Sequence, residues 1–190
     1  MTAIGTSAPH RFVFAAGICG AAGGLVFLVL GLTAPLFPTV TSGFDPWMAL
    51  ATGGLVLIVI GLLGLARSAL AGAGVLARCG SVAAVVGMAG FAVAHALAAL
   101  DATQSDSPLF RIEVLGSLGL LLTGVAVLRA GRWPGWGRFT PLACGLYPFV
   151  ILIPAFAIFG EPNFPAIAGF GVPLILLGVA LAGAPGTPRL

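Results

Sequence analysis

The sequence predicts an all-α polytopic membrane protein with six transmembrane helices in a single domain. Its 190 residues are 59% hydrophobic and 7% charged, and the mean hydropathy is +1.17. A soluble domain carries about 25% charged residues, so this composition excludes a water-soluble fold. The few charged residues separate uncharged stretches at 12–44, 46–66, 79–100, 114–128, 139–160 and 162–188.

A transmembrane helix needs about 20 predominantly apolar residues. The six predicted helices therefore lie near 12–34, 47–66, 79–100, 109–129, 139–159 and 165–184. The first is longer than the apolar region of a cleaved signal peptide, which has about 7–15 residues, and we expect a permanent span. The bulky Ile18 before Cys19 does not fit a lipoprotein cleavage site. The fourth helix has the shortest uncharged part, so we expect Arg111 and Glu113 within its outer end.

The charges separate to opposite ends of the predicted helices. Seven of the eight arginines fall on one side: Arg11, Arg67, Arg78, Arg129, Arg132, Arg138 and Arg189. All five acids fall on the other: Asp45, Asp101, Asp106, Glu113 and Glu161. Because loop arginines face the cytoplasm, both termini are predicted to be cytoplasmic. Arginine without lysine, with abundant alanine and glycine, is typical of GC-rich genomes and indicates a bacterial inner membrane.

An internal repeat is predicted as three helical hairpins at about 12–66, 79–129 and 139–184. Each even-numbered helix carries two small residues seven positions apart, which are Gly54 and Gly61, Ser117 and Gly124, and Gly171 and Gly178. Small residues two turns apart let a neighbouring helix backbone approach closely, so we expect these six positions to pack helices. The alternative is chance recurrence in a glycine-rich chain.

The elbow Leu128-Arg129-Ala130-Gly131-Arg132-Trp133-Pro134 joins a glycine-rich helix to the next arginine-led one. With the three hairpins, it resembles uncharacterised six-span proteins of GC-rich bacteria and the acid-resistance membrane protein family. The layout is also similar to the acid-gated urea and amide channels. That family implies an aromatic constriction and external termini, whereas this chain has a single tyrosine, Tyr147, and no tryptophan in mid-span.

The candidate polar site consists of His95 and Glu113, with Arg111 and Asp101 at its mouth. Ionisable groups inside a membrane are functional candidates by default. At 1.5 Å per residue, His95 is expected about 9 Å and Glu113 about 6 Å inside their helix ends. A contact between them would respond to mild acid. Alternatively, His95 only donates to a carbonyl, and Arg111 snorkels or pairs with Asp101 or Asp106.

No catalytic residue, metal ligand or cofactor is predicted, and we expect the protein not to be an enzyme. Ser117 with His95 is a conceivable nucleophilic dyad, but the residues around Ser117 lack the GxSG pattern of intramembrane serine proteases. The three cysteines, Cys19, Cys79 and Cys144, are scattered and form no metal motif. No basic run is present to bind nucleic acid.

Three functions remain open. The first is an accessory or assembly subunit of a larger membrane complex. The second is a small-solute channel or transporter with the His95–Glu113 site, and the third is a lipid or quinone binder. Prolines in the last two helices favour a cavity or partner groove there: Pro141, Pro148, Pro154, Pro165 and Pro173. The expected partners are the lipid bilayer, other membrane subunits or a second copy of the chain.

Overall fold

The computed structural model describes residues 7–36, 43–103, 111–159 and 163–184. Within them the helices are α1 Ser7–Thr33, α2 Pro46–Arg67, α3 Val75–Leu100, α4 Glu113–Ala130, α5 Thr140–Tyr147, α6 Ile153–Phe159 and α7 Phe164–Ala182. A π-helical turn, Pro148–Leu152, joins α5 to α6, and the two form one span with the 3-10 turn Gly135–Phe139. Six helical segments are long and apolar enough to cross a membrane, which confirms the predicted fold class.

The hairpin repeat and the sidedness of the termini stay predictions. Asp106, Glu161 and Arg189 lie outside the described residues. We call the end of the bundle at Pro46, Leu100 and Glu113 the acidic end, and the end at Arg67 and Ala130 the arginine end.

Local signals in the sequence set several helix ends. The Asp45 carboxylate accepts from the backbone N–H groups of Trp47 at 2.8 Å and Met48 at 3.2 Å, and Pro46 occupies the first helical position. Asn163 caps α7 in the same way, with Oδ1 3.0 Å from the Ala166 nitrogen. Gly131 ends α4 in the left-handed region with φ of 62°, where a glycine is favoured. These helix ends are therefore encoded locally.

The helices pack as a closed ring in chain order. α1 lies mainly against α7 and α2, α3 against α2 and α4, and α5 against α4 and α7. One cluster of buried apolar side chains draws residues from α1, α2, α3, α4, α5 and α7. Its fully buried members include Leu55, Met88, Leu120, Cys144 and Leu181, so side chains fill the middle of the ring.

Glycines on α1 bring the backbones of α1 and α7 into close approach. A Cβ at Gly17 would lie 2.5 Å from the Ala182 nitrogen, and one at Gly24 would lie 2.7 Å from the Ile175 nitrogen. One at Gly31 would lie 2.6 Å from the Cα of Ala168. These glycines recur every seven residues and so share one face of α1. Only glycine permits this separation between the two helices.

The small residues of the even-numbered helices also lie between helices, but not in equivalent places. Gly54 and Gly61 of α2 face α1, their partner within the first hairpin. Gly171 and Gly178 of α7 face α1 as well, which belongs to a different hairpin. Gly124 of α4 lies against Leu142 of α5, and Ser117 is fully buried. The same spacing thus serves contacts inside a hairpin and contacts between hairpins.

Polar and aromatic contacts join neighbouring segments at both ends of the ring. At the acidic end, the Trp47 indole Nε1 lies 3.4 Å from the Leu30 carbonyl, and its ring meets Phe164 edge-on at 6.4 Å. Trp47 therefore joins α1, α2 and α7. At the arginine end, the guanidinium of Arg132 lies 3.4 Å from the Ala69 carbonyl.

Replacing Gly171 with valine is expected to lower the free energy of unfolding by about 1–3 kcal/mol, because the new side chain would collide with the α1 backbone. A Cβ at this position would lie 2.5 Å from the Gly24 carbonyl oxygen. The matched control is Gly53→Val, where a Cβ meets nothing within 4 Å. Denaturant titration in detergent micelles measures both. Equal stability of the two variants would contradict the close-approach argument.

The orientation prediction is tested by labelling single cysteines in a chain whose three native cysteines are replaced by alanine. Ala73 and Thr103 are exposed and lie beyond opposite ends of α3. With the arginine end in the cytoplasm, a membrane-impermeant maleimide should label Thr103→Cys in intact cells. It should label Ala73→Cys only after the cells are opened. The reverse pattern would invert the assigned orientation.

Candidate functional site

His95 is buried near the acidic end of α3, with 5% of its surface exposed. Its Nδ1 lies 3.1 Å from the carbonyl oxygen of Phe91, one turn earlier, and the two rings pack edge-to-face with centroids 4.3 Å apart. A carbonyl oxygen only accepts, so Nδ1–H donates in this bond. The backbone of α3 therefore sets the tautomer and limits rotation of the imidazole.

The register between α3 and α4 fixes the level of each site residue along the pair. Gly80 lies beside Thr123, Gly87 beside Gly116, and Gly90 beside Ile112. Arg111 and Ile112 form a 3-10 turn, and α4 begins at Glu113 rather than near 109. Residues 109 and 110 lie outside the described residues. The prediction that Arg111 lies within α4 was wrong. A charged residue next to an apolar stretch can belong either to the end of a helix or to the turn before it, and the sequence does not distinguish the two.

Glu113 is half-buried in the first turn of α4, where a carboxylate is favoured by the positive end of the helix dipole. By the register it lies close to the level of Gly90. His95 is five residues further along α3, about 7.5 Å at the rise of an α-helix. His95 and Glu113 thus occupy the same end of the same helix pair at different levels, and their direct contact stays a prediction.

The two mouth residues, Asp101 and Arg111, are both exposed. The Asp101 carboxylate accepts from the Thr103 backbone N–H at 3.1 Å. Among the residues that the structure describes, no ion pair joins Arg111 to Asp101. Pairing of Arg111 with Asp106 concerns a residue outside those ranges.

A dyad of Ser117 and His95 is not assembled. Since Gly116 lies beside Gly87, Ser117 lies near the level of Val86. His95 is nine residues beyond Val86, about 13.5 Å along α3, which exceeds the reach of a hydrogen bond between the two side chains. The structure gives Ser117 a place between helices instead.

Two hydroxyl groups of α4 are buried in the structure. The side-chain oxygens of Ser117 and Thr123 are fully buried and have no hydrogen-bond partner in the structure. Thr123 lies beside Gly80 of α3, where the missing Cβ leaves room for its side chain. Unpaired buried hydroxyls are uncommon. The sequence shows both as polar residues in mid-span, but it does not show that their hydroxyls are buried without a partner.

The fifth span is interrupted where its prolines predicted disruption. Pro148 opens the π-helical turn, and the Tyr147 hydroxyl just before it donates to the Ala166 carbonyl at 2.9 Å. The Tyr147 ring packs against Phe170 with centroids 5.6 Å apart. These contacts hold the α5 side of the turn against α7. Beyond the turn, α6 has no buried residue.

Within the described ranges, no group of three or more histidine, cysteine, aspartate or glutamate side chains is arranged to hold a metal ion. Comparison of the chain with family models, curated proteins and solved structures found no match. The site must therefore be interpreted from its own geometry.

The His95–Glu113 pair predicts a specific response in a titration. The predicted contact means that Glu113→Gln should change the pH at which the His95 imidazole titrates, because the substitution removes a carboxylate that would lie next to the ring. Histidine-selective ¹⁵N NMR in micelles measures this, with His10, at the opposite end of the bundle, as an internal reference. The control variant is Asp101→Asn, which removes an exposed carboxylate at the mouth of the site and is compared with Glu113→Gln in the same titration. An unchanged His95 titration in Glu113→Gln would show that the two side chains do not meet.

Proposed function

We propose that this integral membrane protein is an accessory or assembly subunit that docks onto a larger membrane complex through α6 and the π-helical turn before it. The proposal rests on the uneven coverage of the six spans. In the most apolar stretch of the fifth span, 22% of the residues are buried, against 44% to 50% in the other five. The fifth span is thus the one that the rest of the chain leaves most open.

The open surface is concentrated in α6 and is strongly apolar. Ile158 is 75% exposed and Phe159 63% exposed, and Val150 in the turn is also exposed. The hydrogen bond from Tyr147 to α7 fixes the position of α5, and α6 extends from this fixed segment. A bulky apolar surface on a held segment offers a partner helix a defined shape to pack against.

Proline chemistry distinguishes this surface from an ordinary lipid-facing helix. Pro154 is exposed and has no N–H, so one backbone carbonyl near the start of α6 lacks the donor that a residue other than proline would supply. A backbone carbonyl in the hydrocarbon region needs a donor from protein or water, since lipid tails supply none. A partner helix with a hydroxyl, amide or indole N–H at this level would provide it.

The filled interior favours this function over a channel through one copy of the chain. Leu55, Met88, Leu120 and Leu181 are fully buried within the ring, and each is apolar. A hydrated path needs polar groups or open volume along its length. The buried hydroxyls of Ser117 and Thr123 are six residues, about 9 Å, apart on α4 and do not form such a path.

Photo-crosslinking in the native membrane tests the docking surface. Benzoylphenylalanine in place of Ile158 should give one protein adduct of defined mass, which mass spectrometry identifies. The matched control is benzoylphenylalanine at Val82, an exposed apolar residue on α3. That position is expected to give lipid adducts alone.

Two results would contradict the proposal. Lipid adducts alone at Ile158 would show that α6 faces the bilayer, and flux and lipid-binding assays would then become the relevant measurements. An adduct with a second copy of this chain, and with no other protein, would show self-association instead of an accessory role.

A further inference from the structure

Arg111 stands apart from every other arginine that the structure describes. Six lie toward the arginine end: Arg11, Arg67, Arg78, Arg129, Arg132 and Arg138. Arg111 is at the acidic end, is exposed, and makes no hydrogen bond or ion pair with any described residue. Within the described residues, its guanidinium therefore has no anionic partner.

The backbone of Arg111 lies well short of the end of α3. Its neighbour Ile112 packs on Gly90, and α3 continues for ten residues beyond Gly90 to Leu100. Ten residues correspond to about 15 Å of helix. Arg111 is also 19 residues, about 28 Å of helix, from Ala130 at the other end of α4, which is close to a hydrocarbon thickness of about 30 Å and puts Arg111 at the headgroup level. The long side chain can extend toward the headgroup region.

An exposed apolar stripe on α4 begins directly below Arg111. It consists of Val114, Leu115, Leu118 and Leu122, which recur at helical spacing on the outer surface of the ring. From Arg111 to Leu122 the chain rises by about 16 Å. This is about half of a hydrocarbon core that is about 30 Å thick, and so matches one leaflet. A cation at one end of an apolar stripe of this length matches a phospholipid, whose phosphate is anionic and whose acyl chain is apolar.

We infer that Arg111 binds the phosphate of an anionic phospholipid whose acyl chain lies along the α4 stripe. The guanidinium offers two parallel N–H groups to phosphate oxygens. The stripe favours a lipid over a free phosphate ion, because an ion would gain nothing from Leu115 or Leu118. The site is on α4 and does not depend on the docking surface at α6.

Lipid crosslinking from within the stripe tests the inference. The chain with benzoylphenylalanine at Leu115 is reconstituted into vesicles of phosphatidylcholine with a minor fraction of phosphatidylglycerol, and irradiated. Mass spectrometry then gives the lipid composition of the adducts. We expect phosphatidylglycerol to be enriched about two- to fivefold over its share of the bilayer, the range that one charge at a membrane surface gives.

Arg111→Gln should reduce the adducts to the bilayer composition, and Arg111→Lys should keep part of the enrichment. The matched control is Arg129→Gln, which removes an exposed charge from the opposite end of the same helix and should leave the enrichment unchanged. Retained thermal stability verifies that each variant is folded.

Three results would overturn the inference. One is an adduct composition equal to that of the bilayer in the parent chain, and another is an equal loss in Arg129→Gln. Loss of enrichment when inorganic phosphate is added would assign the site to a free ion. The crosslink at Ile158 should persist in Arg111→Gln, so failure of the lipid site and failure of the docking surface are separate observations.

Discussion

Close backbone approach at glycine is the interaction on which the rest of the bundle depends. Lipid tails are as apolar as leucine side chains, so helices in a bilayer gain little from burying apolar area and must associate through van der Waals contact and hydrogen bonds. α1 meets this requirement on two sides. Gly17, Gly24 and Gly31 face α7, while Gly20 and Gly23 face α2. Through these two sides the first helix holds the second and the last, and the ring closes.

The same constraint explains why the fifth span differs from the others. α5 packs on α4 through Gly145, whose Cβ would reach the Leu121 backbone, and on α7 through Tyr147. After the π-helical turn no glycine follows in α6, and five of its seven residues are larger than alanine. Without glycine, α6 cannot approach a neighbour as closely as α1 does. The sequence of α6 thus favours a surface that stays outside the ring, which is consistent with the docking role proposed for it.

Much of the fold could be predicted from the sequence because the bilayer admits few solutions. Length and apolar content were sufficient to place all six spans. Small residues seven apart on the even helices indicated where helices pack. Their partners were not predictable, since the spacing is identical whether Gly54 faces its own hairpin or Gly171 faces another.

The candidate site was less accessible to sequence reasoning. The grouping of His95, Glu113, Arg111 and Asp101 at one end followed from counting residues within each span. Their relative levels depend on where α4 begins, and Ile112, the residue before α4, has no polar side chain to cap the helix. The hydrogen bond from His95 to Phe91 depends on the rotamer of His95, which is set by packing. The π-helical turn likewise depends on how Pro148 is accommodated against α7, which composition alone does not specify.

Contact between the first and last helices has a consequence for biosynthesis. Membrane helices are made in order, so the Gly17–Gly24–Gly31 face of α1 is translated before its partner α7 exists. Until the final span is inserted, this face is open to lipid, to insertion factors and to intramembrane proteases. A ribosome that stops before Phe164 releases a chain whose ring is unclosed. Closure of the ring therefore requires synthesis to continue through α7.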